Sequence, residues 1–92
     1  GYKNIICFFD YDLGGIDIYN VLYGKFGSKV IFYKHPELKK IIPIFGNALT
    51  DNQIDKLGAV TRTKESSPII TLMLKHKKWL EQEVLQSKNI FT

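Results

Sequence analysis

The stretch Ile5-Ile6-Cys7-Phe8-Phe9-Asp10-Tyr11-Asp12-Leu13-Gly14-Gly15-Ile16 decides how this chain reads. Ile5 to Phe9 is a short, continuous apolar run, the pattern of a strand covered on both faces. Asp10 and Asp12 follow at its carboxyl end, the edge where open α/β sheets bind ligands. The glycine pair lets the backbone turn tightly before a helix begins. Two carboxylates this close repel unless a proton or a cation is shared between them. A hard divalent ion such as Mg2+ (or Mn2+) answers that need. The competing reading is structural: Asp12 caps the following helix and complements its dipole. Capping accounts for one aspartate and leaves Asp10 unexplained. Asp17, in the first helical turn, reads as a dipole partner before it reads as a ligand.

Working outward, Gly15 to Phe26 carries apolar residues at roughly helical spacing, and Gly27 is a natural stop. Lys29 to Lys34 is β-branched and aromatic, hence a second strand. Strand, helix and strand with short turns make a βαβ unit and predict parallel strands. Beyond it, His35-Pro36 breaks the strand, and Glu37 to Ile42 reads as a helical turn ended by Pro43. Ile44 and Phe45 read as a brief strand before the turn at Gly46-Asn47. Thr50 or Asp51 caps a helix over about Asn52 to Leu57, closed by Gly58. Residues 61–67 form a polar connection, and Ser67-Pro68 looks like a cap followed by a first-turn proline. Ile69, Leu72, Met73, His76, Leu80 and Val84 then fall on one face, predicting a long helix to about Leu85. The fold class is therefore α/β, a small and mainly parallel sheet with flanking helices, with residues 1–92 forming a single domain or the C-terminal part of one.

Composition bounds the partners. The 92 residues are 45 % hydrophobic and 24 % charged, as in an ordinary folded domain. A net charge of +4 comes from 13 Lys and Arg against 9 Asp and Glu, with Arg62 the sole arginine. That balance is compatible with a polyanion but does not demand one. The basic run Lys75-His76-Lys77-Lys78 is a candidate phosphate contact, set against a plain solvated helix face. His76 lies on the apolar stripe and reads as a partly buried helix residue. His35 reads as a loop residue. The single Cys7, inside a buried strand pattern, reads as a core thiol in a reducing cytoplasm. No apolar run approaches a membrane span, so no membrane partner is expected. The chain enters its first strand within about four residues and lacks an initiating Met, which reads as the C-terminal piece of a larger protein.

Phe9-Asp10-Tyr11-Asp12-Leu13-Gly14-Gly15-Ile16-Asp17-Ile18-Tyr19 resembles the Asp-x-Asp-x-x-Gly-x-x-Ile segment of the Toprim fold. That segment occurs in type IIB topoisomerase A subunits with their meiotic relatives, and in the C-terminal domain of the Wadjet anti-plasmid nuclease subunit JetD. Leu49-Thr50 opening a helix, and Leu80-Glu81-Gln82-Glu83 near the end, resemble the JetD type more closely. The resemblance implies Mg2+-dependent DNA cleavage with Asp10 and Asp12 as catalytic metal ligands and Glu81 or Glu83 as auxiliary residues. It implies DNA as substrate, an upstream domain of the same parent protein, and SMC-like subunits or a homodimer as partners. Departures exist: Gly14-Gly15 replaces a commoner step, and the early Toprim glutamate has no counterpart, so the isolated chain is expected to be inactive. Tyr11 is a nucleophile only on paper, because the family does not use that position. Haloacid-dehalogenase-type phosphatases also place Asp-x-Asp after a strand, and would make Asp10 a nucleophile. Their later acidic pair would have to fall on Asp51 and Asp55. The third reading is a non-catalytic interaction domain with a vestigial acidic pair.

Overall fold

The computed structural model describes residues 4–83. Strand β1 (Ile5–Cys7) leads through Asp10-Tyr11-Asp12 into helix α1 (Leu13–Phe26), and a single 3-10 turn then enters β2 (Val30–Phe32). The strands pair in parallel with Ile5 opposite Val30 and Cys7 opposite Phe32. The expected βαβ unit is thus present, and it makes a small α/β arrangement around a two-stranded parallel sheet. Gly27 sits at φ 63° after the last turn of α1, where a side chain would be strained, and its N–H donates to Tyr23.

The middle of the chain departs from expectation. Helix α2 spans Leu38–Phe45, so Pro43 lies inside it and Ile44-Phe45 are helical rather than a strand. The N–H that Pro43 lacks would have met the Lys39 carbonyl, one bond in a short helix, while the carbonyls at the helix end are taken separately. The Gly46 N–H donates to Ile42, and the Lys78 ammonium donates to Pro43 at 2.7 Å. Leu38, Ile41 and Ile42 are buried, which secures the helix from its inner face. Strand β3 (Asn47–Ala48) follows, then α3 (Asp51–Ala59). Thr50 and Gln53 exchange reciprocal side-chain-to-backbone bonds as a capping box at the start of α3.

Helix α4 covers Ser66–His76 and starts two residues earlier than the Ser67-Pro68 step implied. Its entry is fastened by Thr63, whose hydroxyl accepts from the Ser66 N–H while the Ser66 hydroxyl accepts from the Thr63 N–H. The helix does not reach Leu85. Lys77 turns left-handed at φ 54°, and Lys78–Trp79 become strand β4, antiparallel to β3. Leu80 goes on to bridge Tyr11, so it leaves the helical stripe altogether. Val84 and Leu85 lie outside the described residues. Pairing with distant backbone overrides a local sequence of good helix formers here.

The core joins Tyr11, Ile16, Tyr19, Val30, Phe32, Ile41, Ile42, Leu57, Ile69, Ile70, Met73 and Leu80. Aromatic rings organise its centre. Phe32 stands 5.8 Å from Tyr11 and 5.3 Å from Tyr19, centroid to centroid. The Tyr19 hydroxyl meets the Thr63 hydroxyl at 2.7 Å and ties α1 to the entry of α4. Among the described residues no helix is long and apolar enough to cross a membrane.

Gly15 is the tight point of this packing, because an added Cβ would fall on the Asp10 carbonyl oxygen. Gly24, in the same helix, has nothing within 4 Å of an added Cβ. Gly15→Ala is expected to lower unfolding free energy by about 1–3 kcal/mol, as overpacking does. Gly24→Ala is expected to raise it by about 0.5–1 kcal/mol through helix propensity. Urea unfolding of both variants checks the pair, and equal shifts of one sign would contradict the packing described.

Candidate functional site

The Asp10-Tyr11-Asp12 step leaves β1 in extended backbone, with Asp12 at φ −144° and ψ 177°. Side chains alternate sides in such a stretch, so burying Tyr11 turns both carboxylates to the opposite side. Tyr11 is fully buried. Its hydroxyl donates to the Tyr33 carbonyl at 2.9 Å and accepts from the His35 N–H at 3.0 Å. Burial pushes its phenol pKa up, so the side chain is a neutral anchor and not an activated nucleophile.

Asp12 is the N-cap of α1, its Oδ1 accepting the Gly15 N–H at 2.6 Å. Asp10 accepts the Gln82 N–H at 2.7 Å through its own Oδ1. That contact joins residues 72 positions apart. It is set up by two backbone bonds between Tyr11 and Leu80, at 2.8 and 3.0 Å. The Leu-Glu-Gln-Glu segment thus returns to the acidic pair through its backbone. A sequence pattern carries no signal for that, because backbone donors look alike in every residue.

Asp10 and Asp12 line one cavity of about 320 Å³ with Phe8, Gly14, Gly15 and Ile18. Asp17 faces elsewhere, beside Leu13, Lys56 and Val60. Glu81 and Glu83 are exposed, and neither lines that cavity. The buried side-chain oxygen of Gln82 has no hydrogen-bond partner among the described residues. No three His, Cys, Asp or Glu side chains gather to hold a metal among those residues. Hydrogen bonds take Oδ1 of each aspartate and leave Oδ2 of each outside the described network. Two hard oxygens in an open cavity fit a divalent cation that keeps most of its waters.

The basic run does not act as one patch. Lys75 and Lys77 are exposed, whereas Lys78 is half-buried and spends its ammonium on Pro43. Asp51 and Asp55 both lie on α3, where a dehalogenase-type reading would need the end of a strand. His35 accepts the Glu37 N–H at its Nδ1, shaping the turn after β2. Cys7 is buried, and burial raises its thiol pKa, which makes it an inert core residue.

Comparison with protein-family models, with curated proteins and with solved structures finds no match to this chain.

Removing the Tyr11 hydroxyl isolates its effect on this site. Tyr11→Phe keeps the ring but strands the His35 N–H and the Tyr33 carbonyl. A loss of about 1–3 kcal/mol is expected in urea unfolding. A change within experimental error would show that Tyr11 is not the anchor of the site.

Proposed function

We propose that this chain carries part of a Mg2+-dependent DNA-cleaving centre of Toprim-like type, resembling the JetD nuclease subunit. The observation that carries the reading is the docking of Gln82 on Asp10. It joins the two segments on which the resemblance rests. Asp10 and Asp12 would hold the ion, each by the oxygen that its backbone hydrogen bond leaves over. When bound, Mg2+ (or Mn2+) supplies charge stabilisation to the scissile phosphate and to the leaving oxygen. The chain's own residues hold the pair in place. Gly15 lets α1 approach Asp10, Tyr11 fixes the backbone between the carboxylates, and the Gln82 N–H sets the Asp10 rotamer.

Two carboxylates alone hold Mg2+ weakly, and the reading requires a further strand of the parent polypeptide to complete the centre. The sheet supports that requirement. Cys7 faces β2, its carbonyl accepting from Tyr33, so the Ile6 peptide groups face outward from an edge that no strand among the described residues covers. The outer edge of β2 is blunted instead, its Phe32 N–H taken by Glu65 at 3.3 Å. Ile6 and Phe8 at the β1 edge, and Ile18 and Val21 on α1, are exposed by 52–60 %. An added strand would pair there and cover them. SMC-like subunits or a second copy of the chain belong to the same proposal.

One observation favours a second reading. Each aspartate already has a structural task, Asp12 as cap and Asp10 as acceptor for Gln82. A non-catalytic interaction domain with a vestigial acidic pair needs nothing more.

Nicking of supercoiled plasmid by the longer parent polypeptide separates the two. Cleavage is expected with Mg2+, to stop in EDTA, and to fall at least about a hundredfold in Asp10→Asn and in Asp12→Asn. Cleavage that survives in both variants would sink the proposal, and so would a parent polypeptide with no cleavage at all.

A further inference from the structure

A second cavity, of about 610 Å³, is lined by Lys34, Lys39 and Lys64 together with Ser67, Thr71 and Leu72. The three lysines come from different segments. Lys34 follows β2, Lys39 is in the first turn of α2, and Lys64 lies in the connection before α4. All three are exposed, and no salt bridge engages them among the described residues. The carboxylates nearby in sequence are otherwise occupied. Glu37 pairs with Lys40 at 3.3 Å, and Glu65 takes the Phe32 N–H. Arg62 is a fourth cation beside the cavity, donating to two of its lining residues, Thr71 at 3.1 Å and Ser67 at 3.4 Å.

Three lysines and the neighbouring Arg62, brought together by three segments, repel one another until an anion joins them. A solvated lysine surface is the bland alternative, but solvation alone gives no reason for convergence on one hollow. The first amides of α4 are already spent on Thr63, so the cations and hydroxyls supply the recognition. The positive end of the α4 dipole adds charge of the same sign.

Position relates this cavity to the acidic pair. β1 and β2 run parallel, so Asp10 and Lys34 emerge at the same edge of the sheet. Phe8, which lines the acidic cavity, and Tyr33, next to Lys34, hold their rings 4.8 Å apart. We infer that the lysine-lined cavity binds the phosphodiester backbone of the DNA strand presented to Asp10 and Asp12. The inference rests on the cleavage reading above. Lysines are compact point charges that track a phosphate backbone without reading bases, which suits a site flanking the chemistry.

The test is the binding of a fluorescent DNA duplex, read by anisotropy in EDTA across a salt series. The Lys34→Gln, Lys39→Gln, Lys64→Gln triple is compared with Lys25→Gln, Lys29→Gln, Lys56→Gln, which removes the same charge from elsewhere on the surface. The first triple is expected to bind at least about tenfold more weakly than the second at about 0.1 M salt. Its salt slope is expected to be shallower than that of the unaltered chain by about two to three. Equal losses in the two triples would overturn the inference, as would no loss in either. Titration with inorganic phosphate, read by the amide shifts of Ser67 and Thr71, separates a free anion from DNA. Phosphate binding there, with equal DNA affinity in the two triples, assigns a free-anion site and also overturns it. EDTA keeps metal out, so an inert acidic pair leaves these results unchanged. A failed lysine site likewise leaves metal binding at Asp10 and Asp12 to be judged separately.

Discussion

The backbone bridge between Tyr11 and Leu80 is the constraint on which the rest of this structure depends. Its two hydrogen bonds, at 2.8 and 3.0 Å, close a loop that takes in nearly all of the described chain. They hold the segment after β4 against the exit of β1, which places the Gln82 N–H on Asp10. Tyr11 strengthens the joint from its side chain, which reaches across to the peptide groups after β2. One residue therefore connects the exit of β1, the exit of β2 and the return of the chain.

The acidic pair inherits its geometry from that anchor. Extended backbone gives residues two apart the same side, so a buried Tyr11 directs Asp10 and Asp12 outward together. Each carboxylate is then steadied by one backbone N–H, from Gln82 for Asp10 and from Gly15 for Asp12. Preorganisation of this kind lowers the cost of holding a cation between like charges. It also serves the fold, and for that reason the site and the scaffold cannot be separated by stability alone.

Much of the first third of the chain is legible in the sequence. Ile5 to Phe9, Gly27 and Lys29 to Lys34 marked the βαβ unit because each signal is local: an apolar run, a stop, and a β-branched run. The cap at Thr50 or Asp51 was equally local, and the structure gives it to Thr50 with Gln53 as partner. The failures were non-local. Lys77 to Glu83 has the composition of a helix, and only pairing with Asn47, Ala48 and Tyr11 draws Lys78 to Leu80 into extended form. Pro43 looked like a terminator because the Lys78 contact that holds its carbonyl at the helix end comes from 35 residues away. The acidic pair was read from adjacency. The lysine cavity, built from residues far apart in the chain, left no local pattern to read.

Paramagnetic broadening by Mn2+ tests the central claim most directly, because it locates a weakly held ion without requiring cleavage. Substoichiometric Mn2+ added to the isotope-labelled chain should broaden the amide signals of Asp10 to Gly15 and of Gln82 first. The same addition to the Asp10→Asn, Asp12→Asn variant should leave them sharp. Broadening spread evenly over exposed carboxylates such as Asp51, Asp55 and Glu81, or unchanged at Gly15 and Gln82 in the variant, would contradict the account.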